Sequence, residues 1–204
     1  MGALKKIKNS GVSNVIKHCY RETNNPSNNM IDKTKSHMNY SLIQRNISPY
    51  AYYRKRITEV PHVKRKDLVT LCTWCITAPK TLEQNKIHTF FQLTTEFIAK
   101  TYGSENIVCS VVHLDESSPH LHALFIPVSK RSGRICCNDV ITRNHLRKFH
   151  PLLDQYLKEH GLETEIMNGI TKKQGGNMEV KKLKLNRSVE YEKKVSYDQI
   201  TILR

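Results

Sequence analysis

No apolar run in this 204-residue chain approaches the ~18 residues that a membrane-crossing helix needs, which excludes a helical membrane span. The amino end also lacks the charged, apolar and small-residue regions of a secretory signal. The expected setting is therefore cytoplasmic, with Cys19, Cys72, Cys75, Cys109, Cys136 and Cys137 as reduced thiols. Cys72 and Cys75 form a C-x-x-C without a second pair, a pattern that favours buried thiols on a strand over a zinc knuckle. No internal repeat is present, so a solenoid or propeller is excluded. Acidic residues are scarce at the amino end: residues 1–66 hold 3 against 14 basic ones.

The charge that remains is informative. The net charge is +15, and a balance this basic points to a polyanionic partner. Residues 67–168 are nearly neutral, with 10 basic and 11 acidic residues, whereas residues 169–204 carry 9 against 4. With 38% hydrophobic and 25% charged residues, the chain can bury a core of its own. One folded domain is expected over residues 1–168, followed by a basic, irregular extension over 169–204.

Within that domain, the Asn- and Ser-rich segment Ser10 to Thr34 is expected to connect elements, with Asn24 to Asn29 as a loop. Ser36 to Ile43 alternates Met38, Tyr40 and Leu42 with polar neighbours, as a half-buried strand does, and Leu68 to Thr77 predicts a second strand. Thr81 to Tyr102 predicts a helix, opened by a Thr81–Gln84 capping box and closed by Gly103. Ile107 to His113 and His120 to Val128 read as an antiparallel hairpin, apolar on both faces and therefore central. Arg143 to His160 reads as helical up to Gly161, with Pro151 expected to kink the helix or to start it. The fold class is α+β: a central antiparallel sheet with helices packed on it.

The sharpest chemical signal is His113-Leu114-Asp115-Glu116-Ser117-Ser118-Pro119-His120-Leu121-His122. Residues two apart on a strand share a face, so His120 and His122 present their rings together, and the turn brings His113 to the same place. Three imidazoles on one point make a divalent-metal site with positions left open for substrate. Asp115 and Glu116 stand where a carboxylate can accept a ring N–H and set the tautomer.

These residues resemble the Mob/Pre family of mobilization relaxases, the MobV type within the HUH endonuclease group. His113 to His122 is similar to the family's His-x-Asp-Glu…Pro-His-x-His motif. Ser36-His37-Met38-Asn39-Tyr40 resembles its Ser-His-x-Asn-Tyr block, and Lys17-His18-Cys19-Tyr20-Arg21 its amino-terminal His-x-x-Arg block. Weaker similarity lies in Arg65-Lys66-Asp67, Thr89-Phe90-Phe91 and Tyr102-Gly103, so the likeness spans Lys5 to Gly161. Family members usually carry a long, partly coiled-coil carboxyl extension, whereas this sequence runs to Arg204 through a divergent basic tail.

The resemblance implies an HUH-relaxase-like fold and a relaxase that nicks one DNA strand at a plasmid origin of transfer, leaving a 5′-phosphoryl protein–DNA adduct. It puts manganese or magnesium on His113, His120 and His122, the nucleophile on His18, a phosphate-binding role on Arg21 and support of the metal shell on Glu116. Asn39 and Tyr40 are expected to line the DNA or to order the nucleophile region, and Arg65 and Lys66 to contact DNA. Tyr20 competes with His18 for the nucleophile; a ring with pKa about 6.5 is neutral and ready at pH 7, whereas a phenol near 10 must first ionise. Tyr40, Tyr50, Tyr52 and Tyr53, set among basic residues, either stack on unpaired bases or pack in the core. Neither a small-molecule substrate nor a membrane contact is called for, and the oligomeric state is left open. A rolling-circle initiator shares the metal motif, a DNA-binding accessory protein shares the charge, and a hydrolytic zinc enzyme shares only the histidines; the blocks around His18 and Asn39 favour mobilization.

Overall fold

A five-stranded antiparallel sheet organises the computed structural model, which describes residues 2–23, 31–164 and 166. The strands are β1 (Gly2–Lys8), β2 (Tyr40–Ser41), β3 (Val69–Thr77), β4 (Ile107–His113) and β5 (His120–Phe125), in the order β1-β3-β5-β4-β2. The hairpin β4–β5 is present and β5 is central, as its two apolar faces require.

The alternation of side chains divides the core in two. Trp74, Ile76, Leu121, Ala123 and Phe125 point to one face, under α3 (Ile87–Tyr102) and α5 (Arg143–Glu159). There Trp74 stacks on Phe149 with ring centroids 3.8 Å apart and donates its indole N–H to the Tyr102 hydroxyl at 2.8 Å. Leu71, Val111 and Leu124 point the other way, towards α1 (Val12–Cys19) and α2 (Pro49–Glu59). A short helix, α4 (Cys137–Val140), leads into α5.

Several expectations are corrected. Ser10 to Thr34 does more than connect, because Val12, Ile16 and Cys19 of α1 are buried at helical spacing. The strand expected over Ser36 to Ile43 shrinks to Tyr40–Ser41, since Lys33–Met38 is a 3-10 helix and the Ser36 and Asn39 side chains bond to Asp115 instead of supporting a ladder. The Thr81 capping box does not open α3, which begins only at Ile87, where the apolar face starts. β5 stops at Phe125, two residues before Pro127, which has no N–H to donate to a ladder. Helix α5 runs through Pro151 without starting there; the proline is exposed, so the missing N–H lies on the solvent side while Phe149, Leu153 and Leu157 stay buried. The Asn24 to Asn29 loop and the 169–204 extension lie outside the described residues. Among those described, no helix is long and apolar enough to cross a membrane.

Gly103 does close α3, with φ 91°. A Cβ there would meet Glu105 Oε1 at 2.6 Å and Asn106 Nδ2 at 2.8 Å, and Asn106 itself bonds to the Tyr102 carbonyl and to Arg56. Gly103→Ala is therefore expected to destabilise the fold by about 1–2 kcal/mol, the scale of a left-handed non-glycine residue, read as a lowered denaturation midpoint with unchanged slope.

Candidate metal centre

His113 ends β4 and His120 begins β5, directly opposite in register; His122 follows on the same face, opposite Val111 and Cys75. The three ring centroids form a triangle with sides of 5.1, 4.8 and 5.0 Å. His18, on the last turn of α1, lays its ring against two of them, 5.7 Å from His113 and 5.2 Å from His122. The sheet face that packs on α1 thus gathers four imidazoles.

Hydrogen bonds decide which ring nitrogens are available. His113 Nε2 faces the Cys19 carbonyl at 2.8 Å and His120 Nδ1 faces the Ser118 carbonyl at 2.9 Å. A carbonyl only accepts, so each ring donates from that nitrogen. The bare lone pairs, on His113 Nδ1 and His120 Nε2, then confront each other at 3.3 Å. Two neutral acceptors at that range repel unless a cation lies between them, and nitrogens sharing one ion at about 2.1 Å each stand roughly 3–3.4 Å apart. The residues fit a metal ion.

The surroundings favour the uncharged form of His113, His122 and His18. Burial lowers His113 to about 4, helped by the nearby Arg21 charge, and burial lowers His122 well below the usual value, with His113 and His120 adding to it. Burial, then Arg21, lowers His18 as well. Ligand atoms within 4.8 Å of one another form three overlapping sets: His113 and His120 with Glu116, His113 and His122 with His18, and His120 and His122 with Cys75. Each pair of the trio thus closes with a different third donor.

A second centre of organisation lies beside the rings. Arg21 leaves α1 in the left-handed region, φ 57°, and turns its guanidinium onto Asp115, Nε to Oδ2 at 2.9 Å and Nη2 to Oδ1 at 2.6 Å, with Nη2 also 2.9 Å from Glu116 Oε1. Asp115 accepts two more bonds, from Ser36 Oγ at 2.7 Å and Asn39 Nδ2 at 2.8 Å. Although burial pushes its carboxyl upward, these donors hold it far below the ordinary range. The expectation that Asp115 accepts a ring N–H is corrected: backbone carbonyls of Cys19 and Ser118 take those protons, and the carboxylate anchors the other two sequence blocks. Arg21, expected on phosphate, has Nε and Nη2 committed to carboxylates, and its buried Nη1 has no partner among the described residues.

The remaining candidates scatter. Asn39 points inward, donating to Asp115 and accepting from the Leu114 N–H at 2.7 Å. Tyr40 stacks on His88, ring centroids 5.4 Å apart. Tyr20 turns away from the histidines into a cleft of about 510 Å³ with Ser41 and Arg45, and burial pushes its phenol up to about 12. Arg65 and Lys66 are exposed along a groove of about 670 Å³ that also holds Leu68 and Thr70, at the opposite end of β3 from the rings. Tyr53 is buried core, Tyr50 is exposed, and Tyr52 lies under the Arg45 guanidinium at 3.8 Å, so the tyrosines divide between both readings. Cys75 was missed as a neighbour of the rings. The strand signal that places Cys72 and Cys75 on opposite faces, three residues apart, was present; the β3–β5 register was not.

Comparisons with known proteins point to one family. The family model Mob_Pre, described as plasmid recombination enzyme, matches residues 1–198. A plasmid recombination enzyme of Streptococcus agalactiae is 31% identical over 173 residues, 79% of this chain and 34% of that protein. One from Lactiplantibacillus plantarum is 30% identical over 191 residues, 89% of this chain and 52% of that protein. The chain therefore spans about a third to a half of the length of these relatives. Among solved structures, a Mn-bound MobM relaxase domain (MOBV; Mob_Pre) in complex with plasmid pMV158 oriT DNA superposes with TM-score 0.73 at 26% identity, covering 92% of this chain and 97% of that one. A second such complex gives TM-score 0.71 at 30% identity over 80% and 87% of the two chains.

Proposed function

This chain belongs to the Mob_Pre family of plasmid recombination enzymes, and from that premise we propose that residues 1–168 are the catalytic domain of a cytoplasmic DNA relaxase that nicks one strand of a plasmid at its origin of transfer. The observation that carries the reading is the His18 ring seated against His113 and His122. A nucleophile beside a candidate metal centre is what phosphodiester transesterification requires. His113, His120 and His122 would hold manganese or magnesium, which would supply Lewis-acid polarisation of the phosphodiester.

The chain's own residues do the rest. His18, kept neutral by burial and by Arg21, offers a ring-nitrogen lone pair to phosphorus. The N–P bond forms as the P–O3′ bond breaks; the 3′ oxygen leaves with that electron pair and takes a proton from water. The 5′-phosphoryl group stays on His18, conserving a bond whose reversal rejoins the strand. Arg21 Nη1 is the donor left for a phosphate oxygen, while Glu116 shares Arg21 and stands 3.9 Å from His120 Nε2. Asn39 orders the Asp115 anchor. Tyr40, with Arg65 and Lys66 farther off, is assigned to single-stranded DNA, which stacks on aromatic rings and pairs its backbone with cations.

The test incubates the protein with supercoiled plasmid carrying a candidate transfer origin, in manganese or in EDTA, followed by detergent and protease. Nicking with protein on the 5′ end is expected in manganese and absent in EDTA. Nicking without an adduct points to a hydrolytic nuclease, and binding without nicking to an accessory protein; either result rejects the relaxase.

A further inference from the structure

Of the three donor sets around the rings, two offer nitrogen with oxygen or nitrogen alone, and the third contains sulfur. Cys75 is paired with His122 across the β3–β5 ladder, and its thiol shares a 4.8 Å neighbourhood with ring nitrogens of both His120 and His122. The other core thiols have different company: Cys72 Sγ lies 3.6 Å from Cys137 Sγ on the far face of the sheet, and the Cys19 thiol neighbours that of Cys109. Among the described residues, Cys75 makes no hydrogen bond. His120 is buried, and with Nδ1 turned to the Ser118 carbonyl its Nε2 carries the bare lone pair that a cation can use.

We infer that Cys75, His120 and His122 form a second metal position selective for zinc, which competes with the nicking ion by sharing two of its imidazoles. The selectivity follows from donor softness. Manganese gains little from sulfur and suits the carboxylate side, where Glu116 accompanies His113 and His120; zinc binds thiolate strongly and accepts a tetrahedral set of two nitrogens, one sulfur and one water. On binding, the thiol proton is released to solvent and the Zn–S bond takes its place. The site is on one sheet face with β3 and β5 as its walls, so no rearrangement of the strands is needed to close it. Zinc capture of His120 and His122 leaves His113 with too few partners to hold manganese, and nicking stops. This inhibitory consequence rests on the relaxase reading above; the binding itself does not.

The experiment uses the full chain with cobalt(II) as the spectroscopic stand-in for zinc. One equivalent is expected to produce a near-ultraviolet thiolate-to-cobalt charge-transfer absorption that zinc bleaches, and Cys75→Ser is expected to remove it, whereas Cys136→Ser retains it. The ratio of zinc to manganese affinity is expected to fall at least about tenfold in Cys75→Ser. In the unmutated chain, zinc but not manganese is expected to protect Cys75 from alkylation, read by peptide mass, which frees the test from any folding defect of a variant. Absence of the absorption, its survival in Cys75→Ser, or equal protection by both metals overturns the inference. His113→Ala separates the two readings. The absorption is expected to persist in it while manganese-dependent nicking is lost; nicking that survives there rejects the nicking-ion assignment and leaves the zinc site standing.

Discussion

His18→Ala is expected to abolish the protein–DNA adduct and to lower the nicking rate by about 10⁴- to 10⁶-fold, the scale on which loss of a covalent nucleophile is felt. The ring is half-exposed on α1, so its truncation leaves the core residues Val12, Ile16 and Cys19 in place and the fold intact. His113 and His120 also keep their carbonyl partners, so manganese binding is expected to survive. Tyr20→Phe is the companion experiment. Its phenol faces Ser41 and Arg45 rather than the rings, and burial makes it a poor source of phenolate, so Tyr20→Phe is expected to nick at close to the unmodified rate. Adduct lost only in Tyr20→Phe overturns the assignment of His18. The measurement is a single-turnover time course with labelled origin DNA, stopped in detergent.

Asp115→Ala is expected to cost about 3–5 kcal/mol of stability, because it removes the two-pronged partner of a buried ion pair and leaves the Arg21 guanidinium with Glu116 alone as its counter-charge. The Asp115 side chain is wholly enclosed and that of Arg21 is 13% exposed, so water reaches neither freely. The same substitution orphans Ser36 Oγ and Asn39 Nδ2, which ties the loss of stability to a loss of order around the rings. Replacing both partners with apolar residues, Arg21→Leu with Asp115→Leu, is expected to recover much of the stability while activity stays lost. If Asp115→Ala unfolds at the same denaturant midpoint as the parent, the anchor proposed here is not structural.

The anchor also sets a pH signature. The folded-state pKa of Asp115 lies below its unfolded value, near 3.9, so its contribution is fully present above about pH 4 and is lost as pH falls from there towards the folded value. Asp115→Asn, which cannot ionise, is expected to flatten the acid limb of the stability curve while leaving the neutral region shifted uniformly.

Much of the site could be read along the chain. The two-residue spacing of His120 and His122, with His113 one turn away, is a local property of a hairpin and survives any arrangement of the rest. What could not be read was who attends those rings. Arg21, Ser36 and Asn39 lie 94, 79 and 76 residues from Asp115, and nothing in their spacing says that one carboxylate collects all three. Likewise α1 was hidden in an Asn- and Ser-rich stretch whose turn propensity outweighed the spacing of Val12, Ile16 and Cys19; burial against the sheet decided in favour of the helix.

By itself, then, the sequence determined the basic charge, the antiparallel hairpin and the three imidazoles on one of its faces, because each depends on residue type and on the short period of an extended chain. Tertiary structure alone decided that His18 and not Tyr20 meets the rings, that Cys75 joins them, and that Asp115 serves Arg21 instead of a histidine. Those outcomes depend on the β3–β5 register and on the left-handed turn at Arg21, which are set by packing between segments far apart in the chain.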